Sequence, residues 1–130
     1  MRLLVAALLI VVFVASCSKQ RTRQQTAVKP VELRLTARNL TWSPTMIETS
    51  ERGEFVVIVA NADTVTHNLH LFLKSDPTIS YQSPNIDPGA TRTFHAGFSP
   101  CTECEFVYRC EIHPNLMTGR LLARPPKGSS

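Results

Sequence analysis

The run Phe55-Val56-Val57-Ile58-Val59-Ala60 decides the fold class, because it is a continuous apolar and largely β-branched stretch. Such residues favour the pleated strand, and an unbroken apolar run is typical of a strand in the middle of a sheet. Asn61-Ala62-Asp63 interrupts the run. Upstream, residues 31–37 (VELRLTA) alternate apolar and polar side chains, which predicts a strand with one buried face.

The rest of the chain after residue 31 is also predicted to form β-strands. No stretch longer than two turns shows a 3.6-residue apolar period, and further strands are predicted around residues 46–47, 68–74, 91–98, 105–110 and 118–123. Residues 74–86 are poorly patterned. Seven or eight strands in about 100 residues, with no helix to connect parallel strands, predict an all-β fold, a Greek-key antiparallel β-sandwich or barrel.

Composition and charge narrow the function classes. The chain has 130 residues, of which 43% are hydrophobic and 18% charged, so it suits one globular domain. The net charge is +4, but Lys19, Arg21, Arg23 and Lys29 lie together before residue 30, and the body is close to neutral. Because a nucleic-acid-binding domain carries its basic residues on the fold itself, we expect no nucleic-acid partner. We also expect a monomer.

The N-terminal segment is typical of an export signal. Met1-Arg2 precedes the apolar run LLVAALLIVVFV (residues 3–14), which is short for a transmembrane helix. The following Ala15-Ser16-Cys17 resembles the lipobox of bacterial lipoproteins, which predicts a signal peptide over residues 1–16 and a lipid on Cys17. Residues 17–29 then form a flexible basic tether, residues 30–125 the folded domain and residues 126–130 a disordered end. This organisation places the domain in the cell envelope, anchored to a membrane and facing the periplasm or the extracellular space.

Two segments carry residues that bind soft metals. THNLH (residues 66–70) follows the predicted central strand, and YRCEIHPNLMTG (residues 108–119) follows the last well-defined one. Two imidazoles, a thiolate and a weak axial thioether are the ligands of blue-copper electron-transfer sites. Cys110, His113 and Met117 can curl one loop around an ion, with His67 supplied by a distant strand.

On these residues the sequence resembles the cupredoxins, type 1 copper proteins similar to plastocyanin and amicyanin. The resemblance rests on the His-Asn-x-His stretch at residues 67–70, the Asp-Pro-Gly turn at residues 87–89 and the Tyr-x-Cys-x-x-His-Pro segment at residues 108–114. It implies one copper ion, cycling between Cu(I) and Cu(II), with His67, Cys110 and His113 as equatorial ligands and Met117 as the axial ligand. Asn68 would bond to the ligand loop, and the residues that flank His113 would lie on the surface through which an electron passes.

The other histidines and cysteines receive separate interpretations. His70 and His95 are expected on the surface, away from the ligands. Cys101 and Cys104 have a Cys-x-x-Cys spacing, for which a structural disulfide, a redox-active pair and a second metal site are all open. We expect the disulfide, because Glu103 and Glu105 oppose thiolate formation.

The function expected from this resemblance is that of a membrane-anchored electron carrier, not an enzyme. Its partners would be envelope redox proteins such as cytochromes or copper oxidases and reductases. The alternative is a copper storage or delivery protein of the cell envelope, since the same ligands would serve. Thiol–disulfide exchange through Cys101 and Cys104 is a third and weaker hypothesis.

Overall fold

The computed structural model describes residues 27–124 and forms nine β-strands in them, with no helix in that range. The strands are β1 (Val31–Arg38), β2 (Thr41–Ser43), β3 (Met46–Thr49), β4 (Phe55–Asn61), β5 (His70–Leu73), β6 (Asp76–Gln82), β7 (Thr91–His95), β8 (Cys104–Arg109) and β9 (Thr118–Ala123). The signal peptide, Cys17, the tether up to residue 26 and the C-terminal end lie outside the described residues. Within residues 27–124 no helix could cross a membrane.

The strands form two sheets that pack face to face. One has the order β2-β1-β4-β7 and the other β3-β9-β8-β5-β6, which confirms the all-β sandwich. The sheets are mixed, however, because β1 pairs parallel with β4 and β3 pairs parallel with β9. The expectation of antiparallel pairing alone was therefore wrong for these two pairs. The chain passes from β1 to β4 through β3 in the opposite sheet, so no helical crossover is needed.

The core lies between the two sheets and follows the alternation of the strands. Every second residue of β1 is buried, and so is every second residue of β4, from Phe55 to Asn61. The opposite sheet contributes Phe106, whose ring meets the Phe55 ring edge-on at 5.1 Å. Each buried Val, Leu or Phe side chain of this layer stabilises the fold by about 1.5–3 kcal/mol, so the layer holds the sheets together. The interior position of β4, between β1 and β7, agrees with its apolar sequence.

The sequence did not predict two of the strands. β6 lies in the poorly patterned stretch, and six of its seven residues are exposed. It forms the edge of its sheet and is held by antiparallel pairing with β5, so no apolar alternation marks it. β2 has three residues and is held to β1 by a tight turn. These additions bring the strands in residues 27–124 to nine, against the seven or eight expected.

The pairing of β5 with β8 brings the two chemically informative segments to the same end of the sandwich. His70, the first residue of β5, lies opposite Arg109, the last residue of β8. The residues just before β5 and just after β8 therefore meet at this end. They include His67 and Cys110, which are 43 residues apart in the chain.

Candidate metal centre

The loop after β8 is closed by its own backbone. The Cys110 N–H donates to the Met117 carbonyl at 3.0 Å. The N–H groups of Leu116 and Met117 donate to the His113 carbonyl at 3.1 and 3.0 Å. This loop therefore presents Cys110, His113 and Met117 from a turn whose shape is set by hydrogen bonds inside the protein.

His67 is held from the other side, in the segment between β4 and β5. Its N–H donates to the Ile86 carbonyl at 3.1 Å, and the Ile86 N–H donates back to the His67 carbonyl at 2.7 Å. The His67 side chain is fully buried, with the Trp42 ring 6.3 Å away between centroids. The ring is thus fixed by backbone pairing and by the core.

Three of the four predicted ligands meet in the folded chain. The Cys110 Sγ lies 3.7 Å from the Nδ1 of His67 and 3.8 Å from the Nδ1 of His113. The ligand atoms of the three residues all lie within 4.8 Å of one another. Cys110 and His67 are buried, whereas His113 is half-buried.

These separations suit three side chains that would hold one metal ion between them. With metal–nitrogen and metal–sulfur bonds of about 2.0–2.1 and 2.3 Å, an angle of about 120° places the two atoms about 3.8 Å apart. A tetrahedral angle would place them about 3.5–3.6 Å apart with the same bonds. The 3.7 and 3.8 Å separations found here lie close to these values, so the three side chains are spaced to share one ion. One thiolate and two imidazoles are the donors that blue-copper sites use.

Asn68 and Met117 complete the neighbourhood. The Asn68 Oδ1 accepts the Glu111 N–H at 2.8 Å and lies 3.6 Å from the Cys110 Sγ, so it ties the ligand loop to the segment that carries His67. The Met117 side chain is fully buried and belongs to the same core cluster as Cys110. Its role as the axial ligand stays a prediction.

Comparison with known proteins finds likeness in structure rather than in sequence. No protein-family model matches the chain, and no curated protein matches it. A solved structure of auracyanin A, a "blue" copper protein from the green thermophilic photosynthetic bacterium Chloroflexus aurantiacus, is 19% identical with a TM-score of 0.59. The match covers 74% of this chain and 100% of auracyanin A. The chain has the cupredoxin fold.

Two further structures support the cupredoxin fold. A purple cupredoxin from Nitrosopumilus maritimus is 20% identical with a TM-score of 0.52, and the match covers 70% of this chain and 98% of that one. Reduced auracyanin from Roseiflexus castenholzii is 13% identical with a TM-score of 0.54, with 72% and 97% covered. At these identities the likeness establishes the fold, which agrees with the resemblance found in the sequence.

Within this cupredoxin fold, Asp63 is a neighbour of the site that the sequence reading missed. Its Oδ2 lies 2.9 Å from the His67 Nε2, the ring nitrogen that faces away from Cys110. Burial alone would raise the pKa of Asp63, but hydrogen bonds from the Leu40 and Asn39 N–H groups and from His67 bring it below 3.8. The carboxylate is therefore ionised. The signal available in the sequence was an acidic residue, Asp63, four positions before the candidate ligand His67. On sequence alone, residues 61–63 indicate only the end of a strand.

Outside the site, His95 lies on the surface as the sequence predicts, whereas His70 is half-buried. His70 is on the outer face of its sheet, and its Nδ1 lies 2.5 Å from the Glu111 Oε1. Arg109 also donates to that oxygen, at 2.8 Å. Burial alone would raise the pKa of Glu111, but the His70 and Arg109 contacts lower it below 4.5. His95 is exposed on β7.

Cys101 and Cys104 form a disulfide, which confirms the expected pairing. Cys104 is the first residue of β8, so the bridge lies at the opposite end of that strand from Cys110. Within residues 27–124, His67, Cys110 and His113 are the one group of His, Cys, Asp and Glu side chains placed to share a metal ion. A second metal site that uses Cys101 and Cys104 therefore finds no support in this part of the chain.

Proposed function

We propose that this protein carries single electrons through one copper ion bound by His67, Cys110 and His113, with Met117 as a weaker fourth ligand. The observation that carries the proposal is the 3.7 and 3.8 Å separation of the two Nδ1 atoms from the Cys110 sulfur, which suits one ion held by two imidazole nitrogens and one sulfur. The cupredoxin fold supports the same conclusion. Copper, when bound, supplies a one-electron couple between Cu(I) and Cu(II).

The residues around the site suit electron transfer rather than catalysis. His67 and Cys110 are buried and fixed by hydrogen bonds from two separate segments, so their positions need not change when an electron arrives or leaves. His113 is half-buried and lies between Ile112 and Leu116 in the chain, whose relative exposures are 43% and 61%. These exposed apolar side chains suit brief docking of a redox partner beside the outermost ligand. No substrate is transformed in this scheme, so we do not expect an enzyme.

We further propose that the carrier works in the cell envelope, attached to a membrane by a lipid on Cys17. The support is the sequence of residues 1–17, together with a Cys101–Cys104 disulfide that suits an oxidising compartment. Partners would then be envelope proteins such as cytochromes or copper oxidases and reductases. A Cys17→Ser variant should lose incorporation of labelled fatty acid and leave the membrane fraction. Unchanged membrane association would contradict the lipid anchor.

The copper site is tested by titrating the full-length protein with Cu(II) and recording visible and EPR spectra. We expect one equivalent to bind with an intense thiolate-to-copper band. The Cys110→Ser variant should lose this band, whereas the matched Cys101→Ser/Cys104→Ser variant should keep it. A pale spectrum typical of nitrogen and oxygen ligands in the wild-type protein, or a band that survives in Cys110→Ser, would overturn the assignment.

The alternative of copper delivery is separated by exchange measurements. A carrier should retain its ion through many cycles of reduction and oxidation, because both segments of the site are held by the sandwich. A delivery protein should release the ion readily to a chelator and exchange electrons slowly. Rapid loss of copper to the chelator, with slow electron exchange, would favour delivery.

A further inference from the structure

The ring of His67 has a charged partner on the side away from Cys110. The Asp63 Oδ2 lies 2.9 Å from the His67 Nε2, and the two side chains have relative exposures of 11% and 0%. The other ring nitrogen, Nδ1, faces the Cys110 sulfur at 3.7 Å. His67 therefore connects the candidate copper site to an almost buried carboxylate.

The carboxylate of Asp63 is held by the turn between β1 and β2. The N–H groups of Asn39 and Leu40 donate to its two oxygens at 2.5 and 3.1 Å. Both residues have a φ of 54°, in the left-handed region that only a few per cent of non-glycine residues adopt. Successive N–H groups in a turn can form a concave site for an anion, and here they converge on the Asp63 carboxylate.

Asn61 fixes the backbone that carries Asp63. Its Oδ1 accepts the Asp63 N–H at 3.0 Å, while its Nδ2 donates to the carbonyls of Val65 and Ile86 at 2.9 Å each. Asn61 is itself buried at the end of β4. Its hydrogen bonds link the Asp63 segment to Ile86, the residue that also pairs with the His67 backbone.

An acceptor at Nε2 has two consequences for a metal at Nδ1. It fixes the ring with Nε2 protonated and Nδ1 free to bind, and it makes the imidazole a stronger electron donor. A fixed negative charge also favours the metal state with the greater positive charge. We propose that Asp63 is a positioning residue that presents the His67 Nδ1 to copper and, through its charge, favours Cu(II) over Cu(I). This inference rests on the proposed copper site.

The test compares the full-length copper-loaded wild-type protein with Asp63→Asn, which keeps an acceptor oxygen but removes the charge. Asp76→Asn is the matched control. It makes the same change in net charge at the start of β6, where the carboxylate accepts hydrogen bonds from Thr78. Reduction potentials are measured by spectroelectrochemistry at one pH and ionic strength. We expect Asp63→Asn to change the ratio of Cu(I) to Cu(II) affinity at least tenfold in favour of Cu(I), which is a rise of about 59 mV, with no such change in the control.

Two further measurements give the proposal independent support. Asp63→Ala removes the acceptor as well as the charge and should lower Cu(II) affinity about 10–100-fold. Nitrogen-15 NMR of the wild-type Cu(I) protein should show His67 protonated at Nε2 and bound through Nδ1, which can be read even if a variant does not fold.

The outcomes separate this inference from the proposed function. If Asp63→Asn and Asp76→Asn both keep the thiolate-to-copper band and have equal reduction potentials, the proposed effect of the Asp63 charge is overturned. Metal binding through the His67 Nε2 would overturn the positioning role. A wild-type protein without the thiolate-to-copper band would overturn the copper site itself, and this inference with it.

Discussion

The close contact between Gly119 and Tyr108 allows a worked prediction about the strand that leads to the site. A Cβ at residue 119 would lie 2.0 Å from the Tyr108 Cε2 and 2.3 Å from its Cζ. The ring cannot easily retreat, because Tyr108 is buried and its hydroxyl donates to the Pro44 carbonyl at 2.7 Å. The φ of Gly119 lies outside the left-handed region, so the backbone itself would accept alanine. In the folded state, the cost of Gly119→Ala is thus set by the space around residue 119 and not by backbone strain.

The expected change in the free energy of unfolding has three contributions, of which two lower it and one raises it. Overpacking costs about 1–3 kcal/mol, and a weakened hydrogen bond from Tyr108 costs about 0.5–1.5 kcal/mol. Alanine also restricts the unfolded chain, which stabilises the protein by about 0.4–1 kcal/mol. The net expectation is a loss of about 2 kcal/mol, equivalent to a fall in Tm of about 8–16 °C for a domain of this size.

The assay is urea and thermal unfolding of the metal-free protein in a double-mutant cycle. In a Tyr108→Leu background the clashing ring atoms are absent, so Gly119→Ala should be neutral or stabilising by up to about 1 kcal/mol. Tyr108→Phe is the matched control, because it keeps Cε2 and Cζ, and there the alanine should still destabilise. An equal effect of Gly119→Ala in all three backgrounds would refute the reasoning.

Three further predictions concern the axial ligand, the disulfide and the response to acid. Met117→Gln should keep the thiolate-to-copper band but shift the reduction potential, and an unchanged potential would show that Met117 is not coordinated. Replacing Cys101 and Cys104 together by serine should lower the free energy of unfolding by about 2 kcal/mol, measured in urea without reductant. The effect is small because a disulfide that closes so short a loop removes little conformational entropy from the unfolded chain. The Lys74 Nζ donates a hydrogen bond to Glu105 at 2.9 Å and lowers the pKa of Glu105 below 4.5. Ionised Glu105 therefore stabilises the fold above pH 4.5, and this contribution is lost as the pH falls through the lowered pKa. In Glu105→Gln this part of the acid dependence should be absent from unfolding curves recorded across that range, and a pH profile identical to the wild type would contradict it.

The sequence was sufficient for the fold wherever a strand buries one face. β1 and β4 were predictable because alternation, or a continuous β-branched run, records their contact with the core. β6 was not, because an edge strand held by backbone pairing leaves its side chains in solvent and imposes no pattern on them. The parallel pairing of β1 with β4 was also hidden, since burial patterns do not record strand direction.

The ligand set was predictable for a different reason. Cys110, His113 and Met117 at turn spacing, together with His67 in a distant segment, form an uncommon combination of soft-metal ligands, so the sequence alone indicates the chemistry. The Asp63 contact has no comparable signature, because aspartate after a strand is common and most often marks a turn. Only the fold shows that the turn between β1 and β2 directs two N–H groups at this carboxylate and places it behind His67.

The two halves of the site are joined by contacts within the polypeptide. Asn68 joins them through the Glu111 N–H, and the strand pairing of His70 with Arg109 fixes the distance between their segments. Because these contacts belong to the sandwich, we expect the ligand loop to fold without the metal, in contrast to small domains that fold only around their ion. Binding energy can then discriminate between the two oxidation states, and we expect the charge at Asp63 to act on the reduction potential. An electron carrier requires such a site, because its fold must stay the same while its ion changes oxidation state.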